Sequence, residues 1–284
     1  MIKRNLLIAI LILCSIGIIK GQTVSDSLAI MSARWKVESP QKGIIHKYAS
    51  IPRLYQGTQS VSLIEIEPGA GLKVDIAVSD EMKETSRIAS EHRGIAAING
   101  SYFDMKRGNS VCFLKVGNQV VDTTTLSECK LRVTGAMHVH KGKIKLIPWS
   151  RQIEKEYEGE TGMVLASGPL MLKDGQICDW NSCGANFIRT KHPRSAVATT
   201  KEGKILLITV DGRFPEQAEG VNIPELAHLI RILGGEDALN LDGGGSTTLW
   251  LSGASDDGVV NYPCDNGRFD HAGERKVPNI LYIH

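Results

Sequence analysis

The chain has 284 residues with 33 basic and 31 acidic side chains, a formal charge of +2 and 5% aromatic content. Balanced charge, with no basic repeat or aromatic-basic stripe, gives nucleic acid no electrostatic foothold and leaves neutral glycans and small anions as ligand classes. Phosphate-binding and dinucleotide loop fingerprints are missing, and the six cysteines do not show zinc spacing.

Met1-Ile2-Lys3-Arg4-Asn5 precedes an almost wholly apolar run from Leu6 to Ile19. A basic start before a short apolar stretch is the layout of a secretory signal peptide, and the run is shorter than the ~20 residues a spanning helix needs. Residues 1–21 are therefore expected to be removed, leaving a secreted or periplasmic protein. Cys14 offers a lipoprotein alternative, which the bulky Leu13 before it disfavours; a retained anchor is the other alternative. No later segment reads as membrane-spanning. About 260 residues remain, enough for one large domain or two small ones. They divide into an entry segment, 22–60, and a main body, 61–284.

Within the body, Val61-Ser62-Leu63-Ile64-Glu65-Ile66 alternates, and Pro68-Gly69 marks a turn before a second strand from Leu72 to Val78. A helix is expected from Thr85 or Ser86 to just before Gly94. Ile95-Ala96-Ala97-Ile98 reads as a short buried strand delivering Asn99-Gly100 to its end. Strand character follows at 111–114, 119–121, 131–133, 143–146 and 163–166. Lys201-Glu202-Gly203-Lys204 turns between strands 195–198 and 205–210, an antiparallel pair. One clear helix begins near Asn222 or Ile223, with Pro224 and Glu225 in its first turn. Leu226, Leu229, Ile230 and Leu233 form its apolar face, and Gly234-Gly235 ends it. Many strands and two or three helices predict an α+β fold built on a large, mostly antiparallel curved sheet.

Five apolar strands run into polar, glycine-bearing loops: Asn99-Gly100-Ser101-Tyr102-Phe103, Gly168-Pro169-Leu170, His192-Pro193-Arg194-Ser195-Ala196, Val210-Asp211-Gly212-Arg213 and Leu241-Asp242-Gly243-Gly244-Gly245-Ser246. Loops on a rigid sheet commonly carry binding groups, and the glycines let a ligand approach the backbone. Arg194 and Arg213 suit an anion, because guanidinium donors match phosphate oxygens in pairs. Each residue has a structural alternative as well. The arginines could form ion pairs, Asp211 cap a turn, Asp242 hold a loop through backbone amides, Asn99 satisfy buried backbone groups, and His192 sit exposed. In an oxidising compartment Cys178–Cys183 and Cys112–Cys129 are candidate disulfides.

The segments Asn99-Gly100-Ser101-Tyr102-Phe103, Pro193-Arg194-Ser195-Ala196-Val197, Asp211-Gly212-Arg213 and Leu241-Asp242-Gly243-Gly244-Gly245-Ser246-Thr247 resemble the phosphodiester glycosidase family. Asn261-Tyr262-Pro263 and Arg275-Lys276-Val277-Pro278-Asn279 resemble its closing motifs. The family commonly has Asn-Gly-Gly-Phe-Phe at the first segment, so Ser101 and Tyr102 are expected to narrow the pocket and add hydroxyls. Ser195 stands where threonine is common and retains the hydroxyl.

The resemblance implies a hydrolase acting on a sugar phosphodiester or phosphorylated glycan, cleaving the anomeric C–O bond to release sugar and a phosphomonoester. Arg194 and Arg213, with Arg275, would bind phosphate. Asp211 or Asp242 would activate water or face the oxocarbenium-like centre, and His192 could supply a proton. Asn99, Gly244 and Ser246 would meet sugar hydroxyls or phosphate oxygens. A rival enzyme reading is P–O cleavage assisted by calcium or magnesium on Asp211, Asp242 and Asn99. A non-catalytic glycan-binding module is the third, although 5% aromatic content offers few stacking platforms.

Overall fold

The computed structural model describes residues 23–157 and 159–284, so the expected leader lies outside the described residues. The largest of three sheets has eight strands, in the spatial order Lys36–Gln41, Ile44–Leu54, Gly57–Ile66, Ile205–Val210, Arg194–Thr200, Gly235–Asn240, Leu170–Lys173 and Gln176–Ile177. A five-stranded sheet runs Gln119–Asp122, Leu114–Val116, Met163–Ser167, Gly135–His140 and Lys143–Pro148. The third contains Leu249–Leu251, Ala96–Asn99, Val277–Ile283 and Val74–Lys83. Neighbouring strands pair antiparallel throughout. The α+β, mostly antiparallel architecture is therefore as expected, with the strands shared among three sheets.

Period-two alternation decides what each strand buries. Leu207, Val197 and Leu239 enter a core shared with Ile76, Ile98 and Leu281 of the four-stranded sheet and Met137 and Leu165 of the five-stranded one. Their neighbours Leu206, Ile208, Ala196, Ala198 and Ala238 face the other way, onto Leu226, Ala227, Leu229 and Ile230 of the Ile223–Ile232 helix. The three alanines leave room for that helix against the sheet. Truncating Leu206 to alanine there would cost about 2–5 kcal/mol.

The Ile223–Ile232 helix starts where its capping box sits. Glu225 N donates to Asn222 Oδ1 at 2.9 Å and Asn222 N to Glu225 Oε2 at 3.0 Å, with Pro224 in the first turn. The Thr85–Glu91 helix also lies where expected. Six α-helices occur among the described residues, however, against two or three expected. Val24–Met31, Leu126–Leu131, Arg151–Tyr157 and Ala185–Arg189 are too short to display an apolar period. The stretch 131–133, expected as a strand, is the end of the Leu126–Leu131 helix, with Arg132 as its C-terminal cap.

Neither expected disulfide forms: Cys112, Cys129, Cys178, Cys183 and Cys264 are all free thiols. Cys112 is fully buried in the cluster of Tyr102, Phe113 and Trp149, whereas Cys129 is half-buried on the Leu126–Leu131 helix. Cys178 packs against the shared core. No helix among the described residues is long and apolar enough to cross a membrane.

Candidate active site

Antiparallel register gathers the polar loops at one end of the large sheet. Arg194 pairs with Val210 and Ala196 with Asn240, so one strand begins where two others finish. Asp211 follows the first ending directly, and Asp242 follows the second after Leu241. Asn99 ends a strand of the neighbouring sheet, and the turn is tied to it by Asp242 N donating to Gly100 O at 3.0 Å. Gly100 in turn lets the Asn279 backbone come close on its other side, because a β-carbon there would strike Asn279.

Asp242 is half-buried and accepts a 3.0 Å hydrogen bond from Gly243 N at Oδ1. Ser246 Oγ is buried beside the same carboxyl without closing a full hydrogen bond. Burial pushes the Asp242 carboxyl above the usual carboxylate range, against the opposing pull of Ser246, Arg132, Gly243 N and Arg275. Gly244 has φ +62° and gives its amide to Pro193 O at 2.8 Å. That donor is engaged within the protein, contrary to the expectation that it serves the substrate.

Four arginines surround this turn. Arg194 is 2% exposed, and its Nε and Nη2 donate to the carbonyls of Val221, Phe187 and Thr190 at 3.0–3.2 Å. Burial lowers its pKa to about 10, so it stays cationic at neutral pH. Arg213 is exposed, covers Gly244, and donates from Nη1 to Cys264 Sγ at 3.6 Å. Arg275 packs against Gly245 and forms an ion pair with Asp265. Arg132 stacks 3.5 Å from the Tyr102 ring centre and pairs with Glu128. Arg194 and Arg213 have no carboxylate partner among the described residues, which leaves uncompensated positive charge beside Asp242.

The remaining expected residues lie behind or beside this cluster. Asp211 is fully buried and accepts from Ser60 Oγ at 2.7 Å, Asn261 Nδ2 at 2.9 Å and Tyr262 N at 3.0 Å. Asn99 is equally buried; its Oδ1 accepts from Ser195 Oγ at 2.6 Å and Thr248 N at 3.1 Å, while Nδ2 donates to Asp242 O at 2.7 Å. Asn99 thus satisfies buried backbone groups, as its structural alternative has it, whereas Asp211 gathers three distant donors instead of capping a turn. His192 is half-buried, and burial together with Arg194 and Arg213 pushes its pKa down. It is therefore neutral at pH 7, a poor proton donor for catalysis.

Ser101 and Tyr102 do not add free hydroxyls to a pocket. Ser101 Oγ donates to Ala166 O at 2.6 Å and Tyr102 Oη to Gly168 O at 2.5 Å. The oxygens proposed for calcium or magnesium on Asp211 and Asn99 are likewise engaged by protein donors. Among the described residues no group of three or more His, Cys, Asp or Glu has metal-binding placement. These side chains do not fit a divalent cation of the kind envisaged.

A family model described as phosphodiester glycosidase matches residues 92–284. The chain belongs to the phosphodiester glycosidase family. Mouse N-acetylglucosamine-1-phosphodiester alpha-N-acetylglucosaminidase is 34% identical over 102 residues, 35% of this chain and 18% of the mouse protein. The match thus spans less than a fifth of that relative's length. The zebrafish enzyme of that name, solved as a catalytic domain auto-inhibited by pro-peptide, superposes with a TM-score of 0.65 at 20% identity. That superposition covers 88% of this chain and 87% of the zebrafish chain. A putative exported protein from Burkholderia pseudomallei shares the fold at a TM-score of 0.58 and 14% identity, covering 80% of this chain and 74% of its own.

Within this family fold, the site includes side chains that the sequence did not point to. Cys264 and Asp265 directly follow the closing motif Asn261-Tyr262-Pro263, so that motif was a usable signal. Arg132, Glu128 and Phe187 had none, since their short helices show no period and nothing local ties them to Asp242.

Proposed function

We propose that this chain is an exported glycosidase that hydrolyses a sugar-1-phosphodiester at the anomeric C–O bond, releasing a sugar and a phosphomonoester. The observation that carries it is Asp242, a half-buried carboxylate ringed by arginines of which Arg194 and Arg213 lack a carboxylate partner. Such a ring favours an anionic group held against one acidic side chain. Family membership supports the same bond class, and the basic-apolar leader supports export. The name of the mouse and zebrafish enzymes suggests N-acetylglucosamine as the sugar.

Ordinary glycosidases use two carboxylates, one of them an acid for a poor alkoxide leaving group. A phosphate leaving group is weakly basic and departs as the anion once guanidinium donors stabilise its oxygens. One carboxylate is then sufficient. Asp242 faces the anomeric carbon, either attacking it or taking the proton of the attacking water. The C1–O electrons pass to the phosphate oxygen, and water supplies the new oxygen on C1. Arg194 holds the phosphate, with Arg213 and Arg275 at the edge and Ser246 against Asp242. Asn99 and Asp211 are positioning residues, and His192 serves as a neutral hydrogen-bonding wall.

The test uses the methyl phosphodiester of N-acetylglucosamine-1-phosphate alongside diesters of other sugars. The parent should release free sugar and methyl phosphate, and Asp242→Asn should lower kcat by about 10³-fold. Failure of every diester to turn over, or release of sugar phosphate and methanol, would overturn the proposal.

A further inference from the structure

We propose that Arg132 and Arg194 form a two-guanidinium clamp, and that the phosphate of the substrate lodges between them at the edge of Phe187. The clamp rests on the sugar-phosphodiester function proposed above and names where its anion sits.

The two guanidiniums converge on one ring from different elements. Arg132 Cζ lies 5.2 Å and Arg194 Cζ 4.7 Å from the centre of Phe187. Each is fixed by the same pair of nitrogens. Arg132 gives Nε and Nη2 to Glu128 at 2.6 and 3.1 Å, and Arg194 gives Nε and Nη2 to the three main-chain carbonyls. Neither Nη1 forms a hydrogen bond among the described residues, which leaves two N–H donors on each arginine.

Arg132 is also held from below. Its guanidinium lies 3.5 Å from the Tyr102 ring centre, and Tyr102 is locked by Gly168 O and by Asn240 Nδ2 at 2.8 Å. Stacking of this kind fixes a planar cation without using its outward donors. The charge count is unbalanced as well. Arg132 has the Glu128 carboxylate and Arg194 has none, and each guanidinium lowers the cost of an anion placed between them. Arg132 and Arg194 both act electrostatically on Asp242, so an anion in the clamp is next to the acidic group.

Arg132→Lys keeps the charge but loses both the planar fork and the stack. Glu128→Gln keeps Arg132 and removes the competing carboxylate. Calorimetric titration with methyl phosphate and steady-state kinetics are measured on the parent and both variants, with melting curves. Arg132→Lys should bind methyl phosphate about tenfold more weakly and raise KM about tenfold, with kcat within a few-fold. Glu128→Gln should bind it at least as tightly as the parent, even where its melting temperature falls. Unchanged methyl phosphate affinity in Arg132→Lys, or weaker affinity in Glu128→Gln alone, would overturn the clamp. A parent that turns over the diester yet binds no methyl phosphate would overturn the clamp too, whereas failure of every diester to turn over would sink the underlying function.

Discussion

Arg213 occupies the space that a side chain at Gly244 would need: its Nη2 lies 2.9 Å from the position of a β-carbon there. Arg275 and Asp265 crowd Gly245 in the same way. The glycine run thus seats two guanidiniums on the turn beside Asp242. Gly245→Ala should push Arg275 off its seat, and the far end of a flexible side chain can yield without unfolding the protein. We expect kcat/KM to fall at least tenfold while the melting temperature stays within about 3 °C. A large melting change with normal turnover per folded molecule would contradict this.

Asp211 and Asp242 should respond oppositely to substitution. Asp211→Ala leaves the Asn261 amide, the Tyr262 N–H and the Ser60 hydroxyl without their buried acceptor, a loss of about 3 kcal/mol or more. Asp211→Asn keeps an acceptor toward Asn261 and Tyr262 and turns its amide to Ser60, so turnover should stay within about tenfold. Denaturant titration and kinetics on the pair check this. Loss of turnover in a folded Asp211→Asn variant comparable to that of Asp242→Asn would show that Asp211 takes part in the chemistry.

The raised pKa of Asp242 links stability to pH. Its proton is bound more tightly in the folded than the unfolded chain, so the ionised carboxylate costs stability above its folded pKa. That cost fades as pH falls through the folded pKa toward the unfolded value near 3.8. Asp242→Asn should therefore be at least as stable as the parent at pH 7, with the difference shrinking on acidification. The acid limb of kcat should also lie above the usual carboxylate range. Chemical denaturation from pH 4 to 8 and a pH–rate profile measure both. An Asp242→Asn variant less stable at pH 7 than at pH 4, relative to the parent, would be contrary.

His192 is held neutral by burial and by Arg194 and Arg213. His192→Gln preserves a neutral hydrogen-bonding side chain and should retain activity within about tenfold at pH 7. Loss of two or more orders of magnitude, together with disappearance of a basic limb from the pH profile, would restore a proton-donor role.

Much of this fold was legible because local signals agreed with tertiary demands. Asn222, Pro224 and Glu225 cap a helix whose leucines meet the sheet, and Gly203 turns a hairpin whose alternation matches two cores. The polar loops were also legible, since each interrupts an apolar strand with glycine. Their division of labour was not. Asp211-Gly212 and Asp242-Gly243 look alike in sequence, yet one carboxylate is encircled by donors from Ser60, Asn261 and Tyr262, all distant in the chain. Arg132 was invisible for the same reason: Tyr102, Glu128 and Phe187 give it meaning only after folding. Short helices such as Leu126–Leu131 carry too few residues for a period to emerge.

Cleavage at the anomeric carbon is tested most directly by hydrolysing the methyl phosphodiester of N-acetylglucosamine-1-phosphate in oxygen-18 water with EDTA present. Attack on C1 predicts one heavy oxygen in the released sugar and none in methyl phosphate. Label in the phosphate, with unlabelled sugar, would contradict it.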